Sequence, residues 1–255
     1  MPAAPDPPNE NQLDLAEKGA GGRSSDTRLF MQLLAYTGCR DTAALAGHLE
    51  QHARTGVVLY EDLGDPLGVA LLSFSTDPGD FVTHTRAMIQ SGPIGDLTPR
   101  PDLTMTGRSY TLGYERDLDE TLLRRPVRHA TDPVTPWAVW YPLRRSGAFA
   151  RLPDAEQKDI LKEHGSIGFA FGRAGAARDV RLACHGLDAA DNDFVIGLMG
   201  PRLAPLSQLV QTMRGTVQTS TYLEALGPFF VGRAVLQHLP AEPATPLPDF
   251  TIFDD

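Results

Sequence analysis

The chain has 255 residues, of which 42% are hydrophobic and 22% charged, enough to bury one large or two modest cores. Its formal net charge of −9 excludes the basic footprint of a nucleic-acid binder, and no apolar run reaches the length of a membrane span. With no signal peptide, and with Cys39 and Cys184 forming no CxxC or metal-like cluster, the expectation is a cytoplasmic protein with free thiols.

Residues 1–26 are rich in Pro, Gly and polar side chains, have little to bury, and read as a disordered arm. "RLFMQLLAYTG" (28–38) has the apolar density of a buried strand, and "RDTAALAGHLEQHAR" (40–54) follows with helical spacing of Ala43, Leu45 and Leu49. "GVVLYED" and "GVALLSFS" are two strands joined across the turn signal Gly64-Asp65-Pro66. A second helix opens near Asp77 or Asp80, and "TMTGRSYTLGYE" (104–115) is a strand that closes a first domain, 27–116. The charged, proline-bearing stretch 117–136 reads as a linker.

The same order then repeats over 137–240. "WAVWYPL" is a strand, and a helix opens at "LPDAEQKDIL" with Pro153 and Asp154 in its first turn. "DVRLACHG" and "DFVIGLMG" are strands, "LAPLSQLVQTMRG" a helix and "PFFVGRAVL" a last strand, with 241–255 as a tail. Strand–helix–strand taken twice is the ferredoxin-like βαββαβ arrangement, so two such repeats are expected to pack as an α+β barrel.

"DILKEHGSIGFAFG" (159–172) carries one histidine among apolar residues. Ile160, Leu161, His164, Ile167 and Phe171 share a helix face, so His164 is either a core histidine with a hydrogen-bond partner or an axial ligand facing a pocket. Residue types alone leave both readings open. His185, at a strand end, reads as structural, and Trp137 and Trp140 read as core aromatics.

"WYPLRR" (140–145), "LPDAEQKDILKEHGSIG", "HGLDAADNDFVIGL" (185–198) and "LSQLVQTMRGTVQTSTYLEALGPFFVG" (206–232) together resemble the chlorite dismutase superfamily, which also contains the coproheme decarboxylases. The first half matches more loosely, through its strand pattern and "RSYTLGYE" (108–115). The resemblance implies haem b or coproheme as cofactor, His164 as the proximal ligand to haem iron, and a cytoplasmic homo-oligomer, a pentamer in longer members. It places Gln218 where the family has a glutamate accepting from the histidine's second ring nitrogen, and Arg214 and Ser220 at or beside positions that meet propionates. A neutral glutamine there would weaken the push that favours O–O cleavage.

Two positions depart from the family. The decarboxylases carry a radical-forming tyrosine fourteen residues before the histidine, where this chain has Ala150 preceded by Phe149. Tyr110 and Tyr141 are the nearest substitutes. The distal arginine of the chlorite dismutases falls on Ala177, with Arg178 and Arg181 as candidates if "FGRAGAARDVR" is lengthened. Chlorite dismutation is therefore not expected. The implied activity is a weak peroxidase-like oxidation with a small oxidant such as peroxide; a divergent coproheme decarboxylase and a non-enzymatic haem carrier or sensor are the alternatives.

Overall fold

A computed structural model describes residues 13–240, so the tail expected at 241–255 and residues 1–12 of the expected arm lie outside it. The first half contributes strands β1 (Phe30–Thr37), β2 (Gly56–Asp62), β3 (Val69–Ser75) and β4 (Met105–Arg108). The second contributes β5 (Trp137–Arg145), β6 (Arg178–Ala183), β7 (Phe194–Gly200), β8 (Leu223–Leu226) and β9 (Phe230–His238). Both halves are antiparallel and have the ferredoxin-like order: β4-β1-β3-β2 and β9-β5-β7-β6. The two sheets join edge to edge. β2 pairs with β9 over six residue pairs, and β4 meets β6 at Arg108 and Ala183, closing a barrel. Short β8 extends the edge of β5 beyond β9.

Alternation along the strands assigns one face of each to the barrel interior. Met31 and Leu33, Tyr60, Leu72, Trp140, Leu182 and Phe230 meet there, each almost fully buried. Gly197 lies opposite Trp140 in the β5–β7 register, and an added Cβ would come within 2.6 Å of the indole, so this strand position has room only for glycine.

Two helical layers cover the outside. α1 (Thr42–His52), capped by Asp41 accepting from Ala44 N–H, buries Leu45 and Leu49 against Val57, Leu59 and Leu71, and Met88 of α2 (Arg86–Gln90) joins them. On the second half, α5 (Asp154–Arg173) and α6 (Leu203–Arg214) lie over Val139, Tyr141 and Leu198. α7 (Val217–Tyr222) follows α6 after Gly215 and Thr216. Cys39 and Cys184 are buried free thiols, as expected; burial pushes the Cys184 thiol up to about 12.

Three expectations need correction. The linker 117–136 contains a π-helical turn, Glu120–Arg124, running into α3 (Arg125–Thr131), which packs Leu123, Val127 and Ala130 into the barrel core. Residues 13–26 of the expected arm are ordered: Glu17–Lys18 pairs with Ser24–Ser25, and Glu17 is held by Arg28 at 2.9 Å and Arg108 at 2.8 Å. The strand expected over 104–115 pairs only as far as Arg108. Beyond it, carboxylates take the N–H groups a neighbouring strand would have used: Thr111 donates to Glu17, and Leu112 and Gly113 donate to Glu115. Gly113, at φ +92°, makes the turn that this loop needs.

Candidate haem site

No proline interrupts α5 over 154–173, and its first turn carries Asp154 and Glu156, which suit a helix N-terminus. Of its side chains only Ile160 is fully buried; Leu161, His164, Ile167 and Phe171 stay half-buried along one face. His164 Nδ1 lies 3.1 Å from the hydroxyl of Thr216. That hydroxyl donates to the Met213 carbonyl at 2.8 Å, the shorter of its two possible contacts as donor, the other being Thr219 Oγ1 at 3.3 Å. Thr216 therefore accepts from Nδ1–H, leaving the Nε2 lone pair free. Burial holds the imidazole below its ordinary pKa, the charges of Arg145 and Arg181 push the same way, and Glu163 opposes them. His164 is accordingly neutral at pH 7 and stands near two guanidinium groups.

Those guanidinium groups lie on the outer face of the second sheet. Alternation puts Arg145, Tyr141, Phe194, Ile196 and Arg181 on that face, with Ile196 opposite both Tyr141 and Arg181. Phe194 organises the cluster. Arg145 Cζ sits 4.6 Å from its ring centroid and 4.9 Å from that of Phe149, while Tyr110 and His185 approach the same ring at 5.4 Å and 5.3 Å. Arg145 forms no side-chain hydrogen bond or ion pair among the described residues, and its Nε is buried without a partner. Burial lowers its pKa. Burial raises that of the Tyr110 phenol, while Arg181 and Arg145 both pull it back.

The expected site residues separate on this framework. His164, Arg181 and Tyr110 come together. Arg178 does not: its alternation is that of Val180 and Leu182, and it is ion-paired with Asp132. Ala177 is packed in the core beneath α6 and faces no cleft. Tyr141 is stacked on Phe229 at 4.7 Å and buried, so it is covered where Tyr110 is not. Ala150 is exposed at the end of α4 (Gly147–Ala150), beside buried Phe149. Arg214 and Ser220 are exposed around the α6–α7 turn, with the Ser220 hydroxyl donating to the Thr216 carbonyl. His185 pairs with Asp193 at 3.2 Å.

The residue against Nδ1 is Thr216, whereas the expected partner, Gln218, makes no contact with it. Gln218 is the second residue of α7, 3% exposed, with Oε1 buried and unpartnered. Its backbone phase within α7 differs from that of the capping residue, whose hydroxyl reaches back to α5. Thr216 was findable as a helix cap after Gly215 in "RGTVQT", but its partner is 52 residues away. Arg145 ends a strand, where arginines are commonly solvated, yet its guanidinium lies over both Phe149 and Phe194.

The family model described as Chlorite dismutase matches residues 120–235, a span holding Arg145, His164, Arg181 and Thr216. Over that span the chain is similar to the chlorite dismutase family. Solved structures similar to it include a haem-binding protein from Thermus thermophilus, 19% identical, with a TM-score of 0.63 and coverage of 82% of this chain and 91% of that one. The chlorite dismutase of Candidatus Nitrospira defluvii in complex with imidazole is 15% identical, at TM-score 0.63, covering 82% of this chain and 92% of that one. A mutant of the same enzyme in complex with cyanide gives 16% identity with the same score and coverage. No curated protein matches the sequence. The fold of these structures extends over both halves, although the family model matches only 120–235. Among the described residues no helix is long and apolar enough to cross a membrane.

Proposed function

We propose that the face of α5 bearing His164, over the second sheet, binds haem, with Nε2 of His164 as the axial ligand, and that the loaded protein is a haem-dependent oxidoreductase with weak peroxidase-like activity. The observation that carries this reading is the hydrogen-bond chain from His164 Nδ1 through Thr216 to the Met213 carbonyl, which leaves Nε2 unprotonated. The donor set fits the cofactor. A neutral imidazole, an apolar helix face and an unpaired buried guanidinium suit a flat apolar ring with carboxylate tails. The match to the chlorite dismutase family model and the likeness to the haem-binding Thermus protein support the same reading.

Haem supplies the redox chemistry when bound. Arg145 pairs with a propionate, which compensates its charge. Phe149 and Phe194 hold that guanidinium in place and keep water from it. Arg181, on the same face and ion-paired with Asp179 at 3.1 Å, would face negative charge on a small oxidant such as peroxide. Both haem b and coproheme carry the carboxylates that Arg145 requires. Assembly as a homo-oligomer belongs to this reading through the family resemblance.

A second reading has one observation in its favour. Tyr110 places an oxidisable phenol against Phe194, the ring on which Arg145 rests, and so beside the propionate Arg145 would hold. This suits a divergent coproheme decarboxylase in which Tyr110 replaces the tyrosine absent at Ala150. Titrating the protein with haem b and with coproheme, then adding peroxide in single turnovers, separates the readings. Saturation at one haem per chain with peroxide-dependent oxidation of a phenolic donor is the expected result. Loss of two carboxyl groups from coproheme by mass would assign decarboxylation, and inert spectra would leave a carrier or sensor. Sustained oxygen release from chlorite would give Arg181 the distal role of the chlorite dismutases.

A further inference from the structure

Two consecutive residues of α5 grip two consecutive residues at the start of α7. Glu163 Oε2 accepts the Val217 N–H at 3.0 Å, and His164 Nδ1 meets the Thr216 hydroxyl at 3.1 Å. Thr216 is the N-cap of α7: its backbone is extended, at φ −72° and ψ 154°, and its side chain accepts from the Thr219 N–H. It is 2% exposed. One hydroxyl thus closes a helix end, donates to Met213 and receives the imidazole proton, and every member of this chain is uncharged.

We propose that Thr216 is the positioning residue for the axial histidine and that it keeps His164 a neutral imidazole, biasing bound iron toward the ferrous state. This rests on the reading of His164 as the axial ligand. The physical argument concerns charge at the acceptor. A carboxylate against Nδ1–H draws the proton toward itself, makes the ring more anionic, and stabilises ferric iron. A hydroxyl that already donates to a carbonyl gives direction without charge. It fixes ring orientation and tautomer, because Met213 takes the only hydroxyl proton and Thr216 can then only accept from Nδ1. Geometry at the helix end makes this arrangement stiff: the hydroxyl cannot rotate away without giving up the cap.

The test compares Thr216→Asp, Thr216→Ser and Thr216→Val in the haem-loaded protein. Asp and Ser both retain the N-cap, so folding is preserved in the two variants that decide the outcome. Spectroelectrochemistry and resonance Raman spectroscopy of the ferrous iron–histidine stretch are the readouts. The midpoint potential is expected to fall and the stretch to rise in Thr216→Asp, while Thr216→Ser stays at the wild-type values. Thr216→Val, which removes the acceptor, is expected to weaken and broaden the stretch. Identical potential and stretch in wild type and Thr216→Asp, with haem still on His164, would overturn the role of Thr216 alone. A haem spectrum unchanged by His164→Ala would instead overturn the axial-ligand reading, and this inference with it.

Discussion

The Arg145 guanidinium lies 4.6 Å from the Phe194 ring centroid and 4.9 Å from that of Phe149. A cation held this way against two rings keeps its charge and loses much of its water, and no carboxylate among the described residues pairs with its side chain. A ligand carboxylate therefore gains more here than at a solvated arginine. Arg145→Met should weaken haem binding by about tenfold, roughly 1.4 kcal/mol. The dimethyl ester of haem should bind wild type and variant alike. Competitive titration against apomyoglobin measures both; an unchanged affinity for free-acid haem would remove Arg145 from the site.

Glu17 fastens the loop that carries Tyr110. Burial pushes its carboxyl up, but hydrogen bonds from Thr111 and Arg28 outweigh burial and hold it below its ordinary value. The sign follows from linkage: a depressed carboxylate contributes stability that is complete above its unfolded value and is lost as pH falls through the folded one. Glu17→Ala should destabilise the protein at pH 7 by about 3 kcal/mol, because it leaves Arg28 and Arg108 without their shared carboxylate. It should also flatten the acid limb of the stability curve below about pH 4.5. Urea unfolding at pH 7 and pH 4 tests both statements, and amide exchange across 109–115 should quicken in the variant.

Gln218 tests the proximal arrangement from the other side. Its buried, unpartnered Oε1 is a cost to the fold, so Gln218→Met should stabilise the apoprotein by about 1 kcal/mol. The midpoint potential of the haem complex should not move. A shift as large as that of Thr216→Asp would return the partnership with His164 to Gln218.

Much of the fold is written locally. The repeated order of strands and helices is readable from apolar periodicity, and so is the helix bearing His164. Barrel closure is not, because it depends on the second strand of each half pairing with the fourth strand of the other, across most of the chain. α3 is hidden by the charges of 116–128 and by Pro126, which the structure accommodates at the start of the helix after a π-turn. The loop 109–115 mimics a strand because Tyr110, Leu112 and Tyr114 alternate, but two carboxylates supply its hydrogen-bond partners. Residues 13–26 look disordered in composition, and their order comes from Glu17 reaching Arg28 and Arg108. In the site, the spacing of helix α5 exposes the histidine, whereas the choice of Thr216 over Gln218 depends on which residue caps α7. That is a matter of two residues of backbone and lies below what residue types resolve.

The central claim is that His164 holds the iron, and the most direct measurement is the optical spectrum of ferric haem bound to His164→Gly, recorded before and after addition of imidazole. The account predicts that the substitution removes or strongly shifts the Soret band and weakens binding, and that imidazole diffusing into the space left by the side chain restores the wild-type spectrum. A Soret band and haem affinity equal to those of the wild type, without imidazole, would contradict it.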